Sequence, residues 1–166
     1  MSQEADRGGQ TWSLWMNAAA PATVHRPPMR DHTSCDVCVI GAGLAGISTA
    51  LELARRGLRV VVLEARTIGG GETGRTTAHL VNAWDDRYHD LEDRLGLDAA
   101  RIVAQSHTAA IDHLERTSAE EGIACDLRRV DGYLFLPPGE REEVLFSELA
   151  AAQRAGVPRV EMVERA

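Results

Sequence analysis

A chain of 166 residues, 44% of them hydrophobic, has the size and composition of a single soluble globular domain. Its formal charge of −7, with acids and bases interspersed, argues against a nucleic-acid partner or an anionic membrane surface. The opening MSQEADRGGQ has neither a basic n-region nor an apolar h-region, and the longest uncharged run, Val37 to Leu51, is too short for a membrane span, so a cytoplasmic location is expected.

Residues 1–34 hold Gly8, Gly9, Pro21, Pro27 and Pro28 with little periodicity and read as a mostly extended leader. Trp12 and Trp15 are its aromatics, and Ser13 to Trp15 is expected to pack on a folded body. His32, Cys35 and Cys38 then give H-x-x-C-x-x-C, a spacing open to a redox pair or a zinc knuckle. No fourth ligand pattern follows, and Cys38 falls in an apolar strand that would bury it as a small hydrophobe, so no metal site is expected.

The stretch from Val37 to Glu64 carries the main signal. Val37 to Ile40 reads as a buried parallel strand, Leu44 to Arg56 as a helix and Leu58 to Leu63 as a second strand, which together make one βαβ unit. Between the first strand and the helix, Gly41, Gly43 and Gly46 form G-x-G-x-x-G. Gly41 permits the sharp turn, Gly43 lets a pyrophosphate approach bare backbone, and Gly46 lets helix and strand pack closely. The N–H groups that open the helix, at Leu44 and Ala45, face the phosphates, where the helix dipole favours negative charge. Glu64, followed by Ala65, stands at the tip of the second strand, where a carboxylate accepts hydrogen bonds from ribose hydroxyls. The same carboxylate repels a 2′-phosphate, so FAD or NAD fits better than NADP. Ala50, Leu53, Gly57 and Val60 continue the match, the first two facing the sheet.

A second glycine cluster follows at Gly69, Gly70, Gly71 and Gly74, leading into Arg75, Thr76, Thr77 and His79. It reads as a second phosphate-contacting loop, with backbone N–H groups and threonine hydroxyls as donors. From Asp85 the period turns helical, with Tyr88, Leu91 and Leu95 on one face before Gly96. Asp98 is expected to N-cap the next helix, which turns Ile102, Val103, Ala110 and Leu114 inward and ends near Gly122. His107 and His113 lie six residues apart and do not share a face; solvent or helix-contact roles are expected for both. Asp131-Gly132 between the apolar runs Cys125 to Val130 and Tyr133 to Leu136 signals a hairpin. A helix from about Glu140 to Ala155 then stops at Gly156, and Val160 to Val163 reads as a last strand.

With both glycine clusters in place, the sequence resembles the D-amino-acid-oxidase-like family of FAD-dependent oxidoreductases. Beyond the first fingerprint, the resemblance is carried by IGGGETGRTTAHL from Ile68 to Leu80, DDRY from Asp85 to Tyr88, SHTAAIDHLE from Ser106 to Glu115 and GIACDLRRVDGYLFL from Gly122 to Leu136. These segments, with Ser13 to Trp15 of the leader, look like the branch whose longer members often carry a C-terminal Rieske domain.

The resemblance implies an FAD domain and a substrate domain threaded through one another. It implies that Gly41, Gly43, Leu44, Ala45 and Gly46 contact the pyrophosphate and that Glu64 and Ala65 lie at the adenosine ribose. Gly71, Thr73, Arg75, Thr76 and Thr77 would lie beside the pyrophosphate and the flavin. Some relatives attach flavin through a histidine in this loop; Arg75 stands nearest that position and His79 four residues later, so no covalent flavin is expected.

The implied fold is α/β: a Rossmann-like FAD-binding βαβ unit, then helices and the start of a substrate-domain β-sheet. Its expected divisions are the leader 1–34, the N-terminal part of the FAD domain with a helical insertion over 35–121, and the beginning of the substrate domain over 122–166. The family pattern continues past Ala166, so the fold is expected to be incomplete, the catalytic residues are unassigned, and activity in isolation is not expected. In intact relatives the resemblance implies a small amine or amino-acid-like substrate that loses a hydride to flavin. Alternatives are an NAD-binding dehydrogenase domain, or a non-catalytic remnant or subunit completed by a second chain.

Overall fold

The computed structural model of the protein describes residues 26–139 and 141–163. The expected packing of Ser13 to Trp15, and most of the leader, lies outside the described residues. The chain forms two compact units, the first reaching His79 and the second starting at Leu80.

In the first unit, β1 (Val37–Ile40) and β2 (Val60–Leu63) pair in parallel from Val37 opposite Val60 to Ile40 opposite Leu63, joined by the helix α1 (Leu44–Arg55). The valine-rich runs suit a pleated ladder, and Gly57, at φ +82°, lets the chain leave α1 and turn back toward β2. Below the strands, Asp36 and Arg59 join them through two backbone bonds from the amides of Asp36 and Val37 to the Arg59 carbonyl, at 2.9 and 3.3 Å, and a side-chain pair at 2.9 Å. That pair holds the Asp36 carboxyl below its ordinary range.

Two details differ from expectation here. Cys38 is exposed rather than buried, and β2 starts at Val60, with Leu58 38% exposed ahead of it. Among the described residues α1 covers one face of this two-stranded sheet. Val37 and Val39 are half-buried, while Cys38 and Ile40, the latter 87% exposed, alternate onto the bare side.

The second unit is helical: α2 (Tyr88–Leu95), α3 (Leu97–Glu120) and α4 (Glu143–Ala155) pack on one another. Tyr88 and Leu91 meet the alanines Ala100, Ala104, Ala151, Ala152 and Ala155 in a core built on small residues, which let the helix backbones approach closely. The Tyr88 hydroxyl donates to the Asn82 carbonyl, and burial pushes its pKa up, helped by the Glu148 carboxylate. Glu148 reaches from α4 to accept the Tyr88 and His89 amides at 2.9 and 3.0 Å and stands 2.9 Å from His89 Nδ1, capping α2 where Arg87 takes a positive φ of 67°.

The helices form where periodicity predicts them, and Tyr88, Leu91 and Val103 face the core as expected, but other positions differ. Leu95 is 68% exposed, because α2 stops at Gly96, one turn past its packed segment. On α3, Ile102 and Ala110 are exposed, whereas Ala100 and Ala104, one turn apart, make the contact that bulkier residues would hold open. Gly96 is the N-cap of α3, and Asp98 sits inside its first turn, 3.4 Å from Arg101.

The expected hairpin is absent. Residues 123–136 form no strand, Val130, Tyr133 and Phe135 are exposed, and Gly132 lacks the positive φ that a type I′ turn requires. The segment is held instead by Arg129, which pairs with Asp112 and Glu115 of α3. Val160 to Val163 likewise forms no strand, although Val160 packs against the helical core. Isolated strand pairs are marginal in water without a third strand or a helix to cover them, and none does so among the described residues. No helix among the described residues is long and apolar enough to cross a membrane.

Candidate functional site

The turn between β1 and α1 is the most constrained piece of backbone in the first unit. Gly41 takes φ +100° and donates its N–H to the Leu63 carbonyl at 2.7 Å, so the turn is tied to the tip of β2. A Cβ on Gly46 would stand 1.9 Å from the Gly41 carbonyl oxygen, which makes the third glycine a packing requirement. Gly43 is the N-cap of α1 and has no side chain to cap the helix. The helical bonding begins with Ile47 N–H to the Gly43 carbonyl at 3.0 Å, so the amides of Leu44, Ala45 and Gly46 precede it and point out of the helix end.

Glu64 closes this turn from below. One carboxylate oxygen accepts the Ala42 N–H at 2.8 Å and the other the Arg66 N–H at 2.9 Å. These backbone donors, Ala42 first, hold the Glu64 carboxyl below its ordinary value of 4.5. A carboxylate offers about four acceptor positions, so acceptor capacity remains for a hydroxyl donor. Ala65 follows, exposed to solvent.

The second glycine cluster folds back onto the first. The Gly69 N–H donates to the Ala42 carbonyl at 2.9 Å, and the Gly74 N–H to the Gly69 carbonyl at 2.9 Å. Between them Glu72–Arg75 forms a single 3₁₀ turn, N-capped by Gly71 and followed by Thr76. Thr73 projects from that turn to the end of α1, where its hydroxyl accepts the Leu44 N–H at 3.0 Å. The Thr76 hydroxyl bonds within the loop, donating to the Thr73 carbonyl and accepting from the Ala78 amide, each at 3.3 Å. Arg75 is half-buried, and Thr77 and His79 are exposed.

Gly41, Gly43, Leu44, Gly46, Glu64 and Thr73 are therefore brought into one bonded assembly. Gly71, Arg75, Thr76 and Thr77 belong to the loop that delivers Thr73. Sequence reasoning missed Ala42, whose N–H and carbonyl each carry one of the tethers; its signal was a small residue between the two leading glycines, where a larger side chain would not bury to 2% exposure. Arg66, which contributes only a backbone amide to Glu64, gave no side-chain signal.

A family model described as FAD dependent oxidoreductase matches residues 36–166. The chain belongs to this family of FAD-dependent oxidoreductases.

Among its relatives, the provisionally named Rieske 2Fe-2S iron-sulfur protein YhfW of Bacillus subtilis (strain 168) is 34% identical over 133 residues, 80% of this chain and 26% of YhfW. Gamma-glutamylputrescine oxidoreductase of Escherichia coli (strain K12) is 34% identical over 132 residues, 78% of this chain and 30% of the relative. The probable oxidoreductase OrdL of Haemophilus influenzae is 35% identical over 115 residues, 69% of this chain and 26% of OrdL. The chain thus spans between 26% and 30% of the length of these relatives. No solved structure matches.

The cofactor of this family is FAD, and the assembly fits its ADP portion on two grounds. The second glycine leaves bare backbone at the helix end, where a Cβ would stand 3.2 Å from the Thr73 hydroxyl, and outward amides suit phosphate oxygens. The ionised Glu64 at the strand tip suits a vicinal diol.

Proposed function

We propose that this chain supplies the Rossmann-like, ADP-holding part of an FAD-dependent oxidoreductase that oxidises a small amine or amino-acid-like substrate. Gly43, Leu44, Ala45 and Gly46 would hold the pyrophosphate and Glu64 the adenosine ribose. Gly71, Thr73, Arg75, Thr76 and Thr77 would lie along the pyrophosphate toward the flavin. FAD held by these residues would supply the hydride-accepting chemistry, and the protein's part would be to bind and orient it. Residues 35–121 belong in this reading to the FAD-binding domain, and 122–166 lead into the substrate-binding part. The amine class rests on gamma-glutamylputrescine oxidoreductase among the relatives.

The observation that carries the proposal is the Glu64 carboxylate, anchored by two backbone amides directly behind the glycine turn. The bare sheet face at Cys38 and Ile40 and the exposed Val130, Tyr133 and Phe135 support a site completed by further polypeptide, in the same chain or a separate one. Purifying the chain and recording its visible flavin absorption tests this division. Substoichiometric flavin is expected, with no amine oxidation by the chain alone. A stoichiometric yellow protein that turns over amines would overturn it.

A further inference from the structure

Glu64 gives the proposed nucleotide site a full negative charge, which the phosphates of a nucleotide would meet. The helix end opposes it with only about half a unit of positive charge. A full cation is needed to balance carboxylate and phosphates together, and Arg66 stands where one would act. Its amide is fixed on Glu64 at 2.9 Å, which anchors the residue two positions beyond the ribose-side acid. Its side chain runs to the second glycine loop, where a Cβ on Gly71 would stand 3.4 Å from Arg66 Nη2. Gly71 in turn caps the 3₁₀ turn that carries Thr73 to the Leu44 amide. The guanidinium is also uncommitted. Arg55 and Arg56 pair with Glu52, and Arg59 with Asp36, whereas Arg66 is exposed and forms no ion pair among the described residues.

We infer that Arg66 is a further nucleotide-binding residue, its guanidinium donating to the phosphate oxygens of an adenine nucleotide held between the two glycine loops. This rests on the nucleotide-site reading above. The planar fork of an arginine matches phosphate oxygens, and its weak hydration lets it exchange water for a ligand at an exposed position. The site then divides its work by charge. Glu64 takes the ribose diol, and Arg66, directed to the second loop, takes the phosphates, so Arg66 decides how strongly a nucleotide is preferred over the corresponding nucleoside.

The test is a calorimetric titration of the chain with ADP and with adenosine, each at low and at high salt. Arg66→Gln removes the charge and keeps the backbone amide that Glu64 holds, so the turn is retained. ADP affinity is expected to fall about three- to tenfold at low salt and by less at high salt, with adenosine affinity unchanged. Arg66→Lys keeps the charge without the fork and is expected to restore part of the loss. If Arg66→Gln leaves ADP affinity unchanged, weakens ADP and adenosine equally, or causes a loss that salt does not alter, the role of Arg66 is wrong while the nucleotide site stands. If the unsubstituted chain does not bind ADP, the site reading fails and this inference with it.

Discussion

Glu64 is the residue on which the nucleotide reading turns, because it performs two tasks with one charge. Its carboxylate fixes the glycine turn through Ala42 and β2's exit through Arg66, and in the proposed site it would also accept the ribose hydroxyls. Glu64→Gln keeps the shape but replaces one acceptor oxygen with a donor that faces a backbone N–H. Loss of a charge-assisted bond is worth about 1.5–3 kcal/mol, so ADP affinity is expected to fall at least about tenfold. An unchanged affinity in a titration of this variant would remove Glu64 from the site. The pH dependence has a defined sign. Because the folded carboxyl titrates below its ordinary 4.5, its contribution is complete above that value and is lost as pH falls through the lower, folded value. Protection of the Ala42 amide from exchange should therefore hold at neutral pH and weaken below pH 4.5. Weakening that begins near neutrality would point to another group.

The βαβ element was legible in the sequence because everything that specifies it is local. Three glycines at fixed spacing, a helix stop at Gly57 and two valine runs set strand, turn and helix without reference to the rest of the chain. The helices of the second unit were legible in extent for the same reason, and so were Tyr88, Leu91 and Val103 of their contact faces, but the alanines that set the closest approach were not. Hydrophobicity favoured Ile102 and Ala110, whereas the packing selects Ala100 and Ala104, since interhelical distance depends on the smallest side chains on both helices. Ala104→Leu is accordingly expected to destabilise the second unit by about 1–3 kcal/mol through overpacking, while Ile102→Ala changes stability by less than about 0.5 kcal/mol. Urea unfolding followed by circular dichroism separates the two, and a larger loss for Ile102→Ala would contradict this packing. The strands expected over 125–136 and 160–163 were misread for a different physical reason. A strand's sequence records its propensity but not its partner, and among the described residues no partner is present.

Taken whole, the chain holds a constrained nucleotide-type turn on an under-covered sheet, followed by a helical unit with an alanine core. The chain belongs to the FAD-dependent oxidoreductase family and spans 26% to 30% of the length of three relatives. In the proposed function the two glycine loops and Glu64 form the ADP-side half of an FAD site. Equilibrium titration of the purified chain with FAD, NAD and NADP tests this. FAD is expected to bind tightest, because the second loop would add contacts toward the flavin, and NADP weakest, because Glu64 would repel its 2′-phosphate. Tighter binding of NAD than of FAD, or equal binding of NADP, would contradict it.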